Sequence, residues 1–449
     1  MNNKLPKVFR LLQQLETEEF EQFDRFVHSP YFITHRDTVK FFDLTKPYYP
    51  DFEISFQKIY QELYPGQPYE DVQMRTLRKY LFKLLLKFLS QQEMELAQRE
   101  TNTALLRNLA RRELHTLTKR ELERGDELLA TYPHQNSIYF QHAIELEEMR
   151  YNYRLQTEGR LAPQDLQPFM ESLDHYFITE KLSFACTIHY ATGLLSWQHP
   201  TAGLLKGIIA YVKDHLERLP YIIQAYFHVL NFEQTSDHYH RFKQLIQQQA
   251  SNFSPEDLVN LCIFAINFCN RQHRKGHKEF LREMFELYQL MLEYNVIFEG
   301  SMLSTNNYKN ITTLGLRLGE YDWTESFIHT YKDRIEQQYR DGVFHYNLAH
   351  LCSYRKEYSK ALRYLMQVEF IDPFYRISYN LLLLKIYYEC REIEPLLSLC
   401  GTFRTYIRRR KVMTDAQKEA YLNFARFTRA LFLIKIRRKH SLNKVTHQI

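Results

Sequence analysis

Between residues 319 and 403 the chain repeats itself. Three segments align without gaps: GEYDWTESFIHTY from Gly319, KEYSKALRYLMQV from Lys356 and REIEPLLSLCGTF from Arg391. Their third positions, Tyr321, Tyr358 and Ile393, lie 37 and then 35 residues apart. Each segment follows an apolar helical stretch and opens a second one, so the unit is a helical hairpin. One pair of helices cannot bury its own apolar face, and a period of this length marks pairs that stack to bury it. The glycine content agrees. Only 12 of 449 residues are Gly, beside 33 Tyr and 32 Phe. Sheets and phosphate-cradling loops need glycine wherever the backbone takes positive φ, whereas helix interiors exclude it. The fold class expected is all-α.

The middle copy resembles the tetratricopeptide repeat. Leu348 and Ala349 fill the close-packing pair of that pattern, Tyr358 the aromatic between helices, Ala361 the small residue of the second helix and Pro373 the repeat end; Leu365 stands where Phe is usual. His345 and Cys352 depart from the expected Trp and Tyr, and in the flanking copies Thr324 and Leu396 take the Ala slot. The resemblance implies an α-solenoid of tetratricopeptide-like hairpins over residues 220–434, with a groove that binds protein or peptide. As a whole the chain is similar to uncharacterised helical-repeat proteins of bacteria, a likeness that implies no activity.

Residues 1–100 read as a separate N-terminal helical domain. Helices are predicted over Lys7–Leu15, Glu18–Val27, Asp37–Leu44, Phe56–Leu63 and Tyr69–Leu96, joined by the turn clusters HSPYF, KPYYPDF and YPGQP. Residues 101–219 read as irregular helical hairpins and 435–449 as a basic tail. Helix starts are marked by the pairs Thr34/Asp37 and Thr414/Gln417, which have capping-box spacing, and by Ser254-Pro255-Glu256-Asp257, a Ser cap with Pro at the first helical position and two acids at the positive end.

Motifs for chemistry are missing. No G-x-G-x-x-G, G-x-x-x-x-G-K or G-x-S-x-G occurs. Gly315 and Gly319 read as a helix end and the turn beyond it. His273 and His277 have the i, i+4 spacing of a metal pair, but Gly276 interrupts the helix between them and Arg271, Arg274, Lys275 and Lys278 repel a cation. Asp237, His238 and His240 read as the polar start of a helix. Cys186, Cys262, Cys269, Cys352, Cys390 and Cys400 form no C-x-x-C pair and read as buried reduced thiols. No catalytic residue, metal or cofactor is therefore expected. The N-terminal twenty residues lack the apolar core of a signal peptide, and no run of 18 apolar residues suggests a membrane span, so a cytoplasmic location is expected.

Charge is uneven. From Gly401 onward 13 Lys and Arg face only Asp415 and Glu419, a net +11; the 46 basic and 51 acidic residues before it give −5. The basic residues Arg404, Arg408, Arg409, Arg410, Lys411, Arg437, Arg438 and Lys439 are candidates for binding a polyanion or an acidic partner, with Tyr406, Tyr421, Phe424 and Phe427 interleaved. A second basic stripe, Arg75, Lys79, Lys83 and Lys87, runs beside Leu77, Leu81, Leu84, Leu85 and Phe88. That stretch is similar in spacing to the recognition helix of bacterial regulators that join a winged helix to a tetratricopeptide-like domain, although helix rather than a β-wing is expected after it. The function expected is a non-enzymatic scaffold for protein or peptide partners. A nucleic-acid-associated regulator comes second and an enzyme third.

Overall fold

The computed structural model describes residues 5–33, 35–159, 162–192, 202–369, 373–410 and 413–446. Helix accounts for 80% of the described residues, and no β-strand occurs among them. None of the described helices is long and apolar enough to cross a membrane. The chain divides into two units, one formed by residues 1–133 and 137–176, the other by 134–136 and 177–449.

The first unit begins with α1 (Lys7–Leu12), α2 (Thr17–His28), α3 (Arg36–Thr45), α4 (Phe56–Leu63) and α5 (Asp71–Leu96). Phenylalanine dominates their core: Phe9, Phe23, Phe41 and Phe42 are fully buried, and Phe23 meets Phe42 edge-on at 5.3 Å. Such rings carry the largest apolar area per residue and add about 1 kcal/mol per well-oriented pair. The helix from Lys7 stops at Leu12 rather than Leu15, because Glu16 caps α2, its N–H donating to the Glu19 carboxylate at 2.9 Å. The stretch SQQEMELAQRE is not one helix. Ala97 takes ψ 73°, ending α5 and starting α6 (Gln98–Arg111), which packs with α7 (His115–Ala130) and α8 (Ser137–Glu158) around Leu106, Leu122 and Leu146. Thr34 lies outside the described residues.

The division between the units falls within α9 (Gln167–Thr192). The second unit continues with α10 (Ala202–His215), α11 (Tyr221–Leu230), α12 (Ser236–Gln249), α13 (Pro255–Arg274), α14 (Phe280–Glu293), α15 (Thr305–Leu318), α16 (Tyr321–Thr330), α17 (Gln337–Tyr354), α18 (Tyr358–Leu365), α19 (Pro373–Cys390), α20 (Ile393–Arg408) and α21 (Asp415–Thr446). Neighbours pack as antiparallel pairs joined by short turns, and α15 also meets α17, α17 meets α19, and α19 meets α21. Two of the three predicted caps form. Ser254 Oγ accepts from Asp257 N–H at 3.1 Å, and Thr414 and Gln417 bond reciprocally at 3.1 and 3.2 Å.

Tyr321, Tyr358 and Ile393, the aligned third positions of the repeat, are each the first residue of a helix. The aligned first positions share a rarer property: Gly319, Lys356 and Arg391 all sit in the left-handed region, at φ 81°, 63° and 62°. In each turn the next residue's N–H donates to the carbonyl five back, Glu320 to Gly315, Glu357 to Cys352 and Glu392 to Tyr387, at 2.9, 2.8 and 3.0 Å. This is the six-to-one bond of a Schellman turn, which satisfies a helix-end carbonyl only if the residue between is left-handed. Leu348, Ala349, Ala361 and Leu365 are buried as the repeat pattern requires, and Tyr358 is half-buried. Pro373 opens α19, its side chain outside the described residues. Gly315 has its own role: a Cβ there would lie under 3.0 Å from Thr324 Oγ1, so α15 and α16 touch where Gly315 faces the Ala-slot residue of the repeat.

Candidate functional site

The concave surfaces of the second unit include two that carry polar side chains over an apolar floor. The first lies along α13 and is closed by the end of α14, the segment that follows it, and α15. Helical spacing puts Glu256, Asn260, Ile263 and Asn267 on one face of α13, and Ile263 is left 43% exposed in mid-helix. Asn307 enters from α15 and Asn295 from the connecting segment, giving four side-chain amides around about 510 Å³, over Ile263, Met291 and Val296. The connecting segment is held in shape. Asn295 is left-handed at φ 55°, Val296 N–H donates to Met291 O at 3.0 Å, and Glu299 and Met302 exchange both backbone bonds around Gly300. Glu256 and Glu299 add two exposed carboxylates to the rim. A carboxamide offers one donor group and one acceptor, as a peptide group does, so this lining suits an extended main chain.

The second surface lies on α19 and α20. Arg376, Leu397, Gly401, Tyr406, Arg409 and Arg410 line a pocket of about 810 Å³, together with the hydroxyls of Ser398, Thr402 and Thr405. The Arg410 guanidinium sits 4.3 Å from the Tyr406 ring centre and donates to the Tyr406 hydroxyl at 2.6 Å; that of Arg376 sits 5.1 Å from the same ring. Among the described residues no carboxylate pairs with Arg376, Arg409 or Arg410. The opposite side of α20 is packed, with Leu396, Cys400, Phe403 and Ile407 buried against α19 and α21.

The described C-terminal basic residues are divided between the pocket and other parts of α20 and α21. Arg409 and Arg410 line the pocket, while Arg404 and Arg429 both lie near Cys400, whose thiol burial pushes up and those two charges pull back down. Arg404 and Arg408 are exposed on α20. Lys411 lies outside the described residues, as do the side chains of Arg437, Arg438 and Lys439. On α21, Phe424, Phe427, Leu431 and Ile434 are exposed, so its outer face is apolar among the cations; Arg426 covers the Phe427 ring at 4.8 Å.

In the first unit, Met74, Leu77, Leu81, Leu84, Leu85 and Phe88 bury one face of α5 and leave Arg75, Lys79, Lys83 and Lys87 on an exposed edge. Arg75 pairs with Asp71, and Lys87 lies 4.8 Å over the Phe32 ring. His273 and His277 do not share a helical face. Gly276, at φ 105°, follows the end of α13; His273 Nε2 contacts Arg317 at 2.8 Å, and His277 faces Glu279 at 3.5 Å. Asp237, His238 and His240 do open a helix, α12. Burial there pushes the His228 pKa down to about 4, with His238 and Arg241 adding to the effect and Asp237 opposing it; the two Nδ1 atoms are 3.0 Å apart. The six cysteines are unpaired, five buried and Cys390 half-buried. Among the described residues one cluster with metal-ligand chemistry escaped the sequence, Asp24, His28 and Asp43, with His28 Nε2 3.0 Å from Asp43. The Lys46 ammonium is paired to Asp24, which makes this an ion-pair network tying α2 to α3.

Sequence spacing missed Arg376, which stands 33 residues from Arg409 and meets it only through the packing of α19 on α20. It also missed the asparagines, since Asn on a helix reads as ordinary solvated surface; Ile263 among them is the signal that marks the face. No protein-family model, no curated protein and no solved structure matches this chain.

Proposed function

We propose that this chain is a cytoplasmic, non-enzymatic scaffold whose residues from about 220 to 434 stack as a tetratricopeptide-like solenoid. The groove along α13 holds an extended segment of a protein partner. One observation carries the reading: four carboxamides and two carboxylates surround an apolar floor with Ile263 exposed at its centre. Amides match a peptide main chain, the floor takes one apolar side chain, and Glu256 and Glu299 favour basic residues beside it. The recurring left-handed turns and the contacts of α15 with α17 and α17 with α19 support the stacking.

The test places a photo-crosslinking amino acid at Ile263 in the full chain, irradiated in native lysate with and without nuclease. The expected product is a nuclease-resistant protein adduct that disappears in the Asn260→Ala/Asn267→Ala/Asn307→Ala variant. An adduct indifferent to those substitutions, or none, would refute the groove.

A regulator that binds nucleic acid stands second, favoured by the exposed Arg404, Arg408 and Arg409. Its signature is affinity falling with log salt at a slope near −0.9 per neutralised phosphate on duplex DNA, reduced by replacing Arg408, Arg409, Arg410 and Lys411 with Ser. Absence of binding to duplex, single strand and heparin at about 50 mM salt, where such contacts are strong, removes it.

A further inference from the structure

We propose that the pocket formed by Arg376, Arg409 and Arg410 on α19 and α20 receives a phosphate monoester carried on a protein segment. The inference rests on the scaffold reading for the source of the phosphate and concerns a different surface.

Three guanidiniums line one pocket, and two of them lie within 5.1 Å of the centre of a single ring. The pocket also sits at the C-terminal end of α20, where the helix contributes roughly half a negative charge. Three full positive charges outweigh that, so the pocket is a cationic site. Guanidinium forks match phosphate oxygens in pairs, and a monoester carries close to two negative charges at neutral pH, against one for a carboxylate.

Gly401 supplies the second observation. A glycine within a helix costs about 1 kcal/mol relative to alanine. At Gly125, Gly315 and Gly342 the fold requires it, because a Cβ would strike a neighbour; at Gly401, as at Gly203 and Gly207 of α10, a Cβ would meet nothing within 4 Å, and of these three Gly401 alone lines the arginine pocket. Its lack of a side chain keeps the pocket floor open and lets an oxygen-bearing group approach α20.

Nucleic acid fits less well. Binding single strands without sequence preference relies on aromatic rings that stack bases, and the Tyr406 ring already carries two guanidiniums. Arg404 does not extend the pocket along a backbone track, since it lies with Arg429 near Cys400.

The experiment immobilises the full chain and compares retention of a degenerate peptide library with a fixed phosphoserine against the same library with serine. Inorganic phosphate and a single-stranded oligonucleotide serve as competitors. At least about tenfold greater retention of the phosphorylated library is expected, competed by inorganic phosphate. It should weaken tenfold or more in Arg376→Ala and Arg409→Ala, and also in Gly401→Leu, which keeps every charge and favours helix while filling the floor. Retention should decline below pH ~6 as the phosphate takes up a proton while the guanidiniums stay charged. Equal retention of the two libraries, including none of either, overturns the proposal. So does indifference to Gly401→Leu, or an oligonucleotide that binds more tightly with the same arginine dependence. The groove variant Asn260→Ala/Asn267→Ala/Asn307→Ala separates the readings. If it alone abolishes equal retention of both libraries, the groove stands and the pocket falls; if phosphate-dependent retention survives it, the pocket stands without the groove.

Discussion

Replacing Gly315 with alanine tests the closest approach in the repeat, and its sign depends on one neighbouring atom. Helix propensity favours Ala over Gly by about 1 kcal/mol. Against that, the new Cβ would lie under 3.0 Å from Thr324 Oγ1, with Phe285 at 3.4 Å and Thr324 Cβ at 3.5 Å. Thr324 is fully buried, stiff at χ1, and donates to Glu320 O at 2.6 Å, so its hydroxyl cannot swing away cheaply. Overpacking of this kind costs about 1–3 kcal/mol, which leaves Gly315→Ala destabilising by about 1 kcal/mol. In Thr324→Ala the offending oxygen is gone and the remaining contacts are ordinary. There Gly315→Ala should stabilise by about 1 kcal/mol, a coupling of roughly 2 kcal/mol. Urea unfolding followed by Trp323 fluorescence, in a Trp197→Phe background, reads the cycle beside the substituted site. A Gly315→Ala variant as stable as the parent, or additive effects in the double variant, would refute the contact as drawn.

Three further outcomes follow from the same packing. Lys356→Gly and Arg391→Gly should each raise the melting midpoint, because relief of a left-handed L-residue, about 1 kcal/mol, exceeds the extra freedom glycine gives the unfolded chain; Gly319→Ala should lower it by a similar energy. Ala361→Phe should cost about 1–3 kcal/mol by thermal unfolding, since Ala361 is fully buried where α18 meets α17. For His228 the folded pKa of about 4 lies below the ordinary 6.5, so the unfolded chain takes up the proton first on acidification. Its contribution is present above pH ~6.5 and lost as pH falls toward 4, about 2 kcal/mol by pH 5, and urea midpoints at pH 7.5 and 5 should differ by less in His228→Gln.

Legibility in the sequence followed how local each signal is. The starts of α16, α18 and α20 coincide with the aligned third positions because a hairpin turn and the helix after it are fixed by adjacent residues. The left-handed positions were legible at Gly319 but not at Lys356 or Arg391, since nothing about a lysine or arginine announces positive φ. The end of α5 at Leu96 fell on the predicted bound, whereas the separate helix α6 after it was not delimited, because it keeps helical composition while turning to pack on α7 and α8. The basic run 408–411 was plain, yet its division between a pocket and exposed surface depends on which way α20 presents each arginine. Arg376 joins that pocket only through tertiary contact.

The left-handed turns also set an order of assembly. At Gly319 the turn between α15 and α16 is free of steric strain, so that hairpin closes at the least cost of the three. The turns at Lys356 and Arg391 each hold a side chain in a conformation that L-residues avoid by about 1–2 kcal/mol. An isolated hairpin of marginal stability loses a large share of its closing energy to that strain, whereas one forming against a completed neighbour gains a buried interface that exceeds it. Structure should therefore grow from α15 and α16 toward α21. Amide hydrogens of α19 to α21 would exchange in a shared, lower-energy opening, while those of α15 and α16 remain protected until the second unit unfolds.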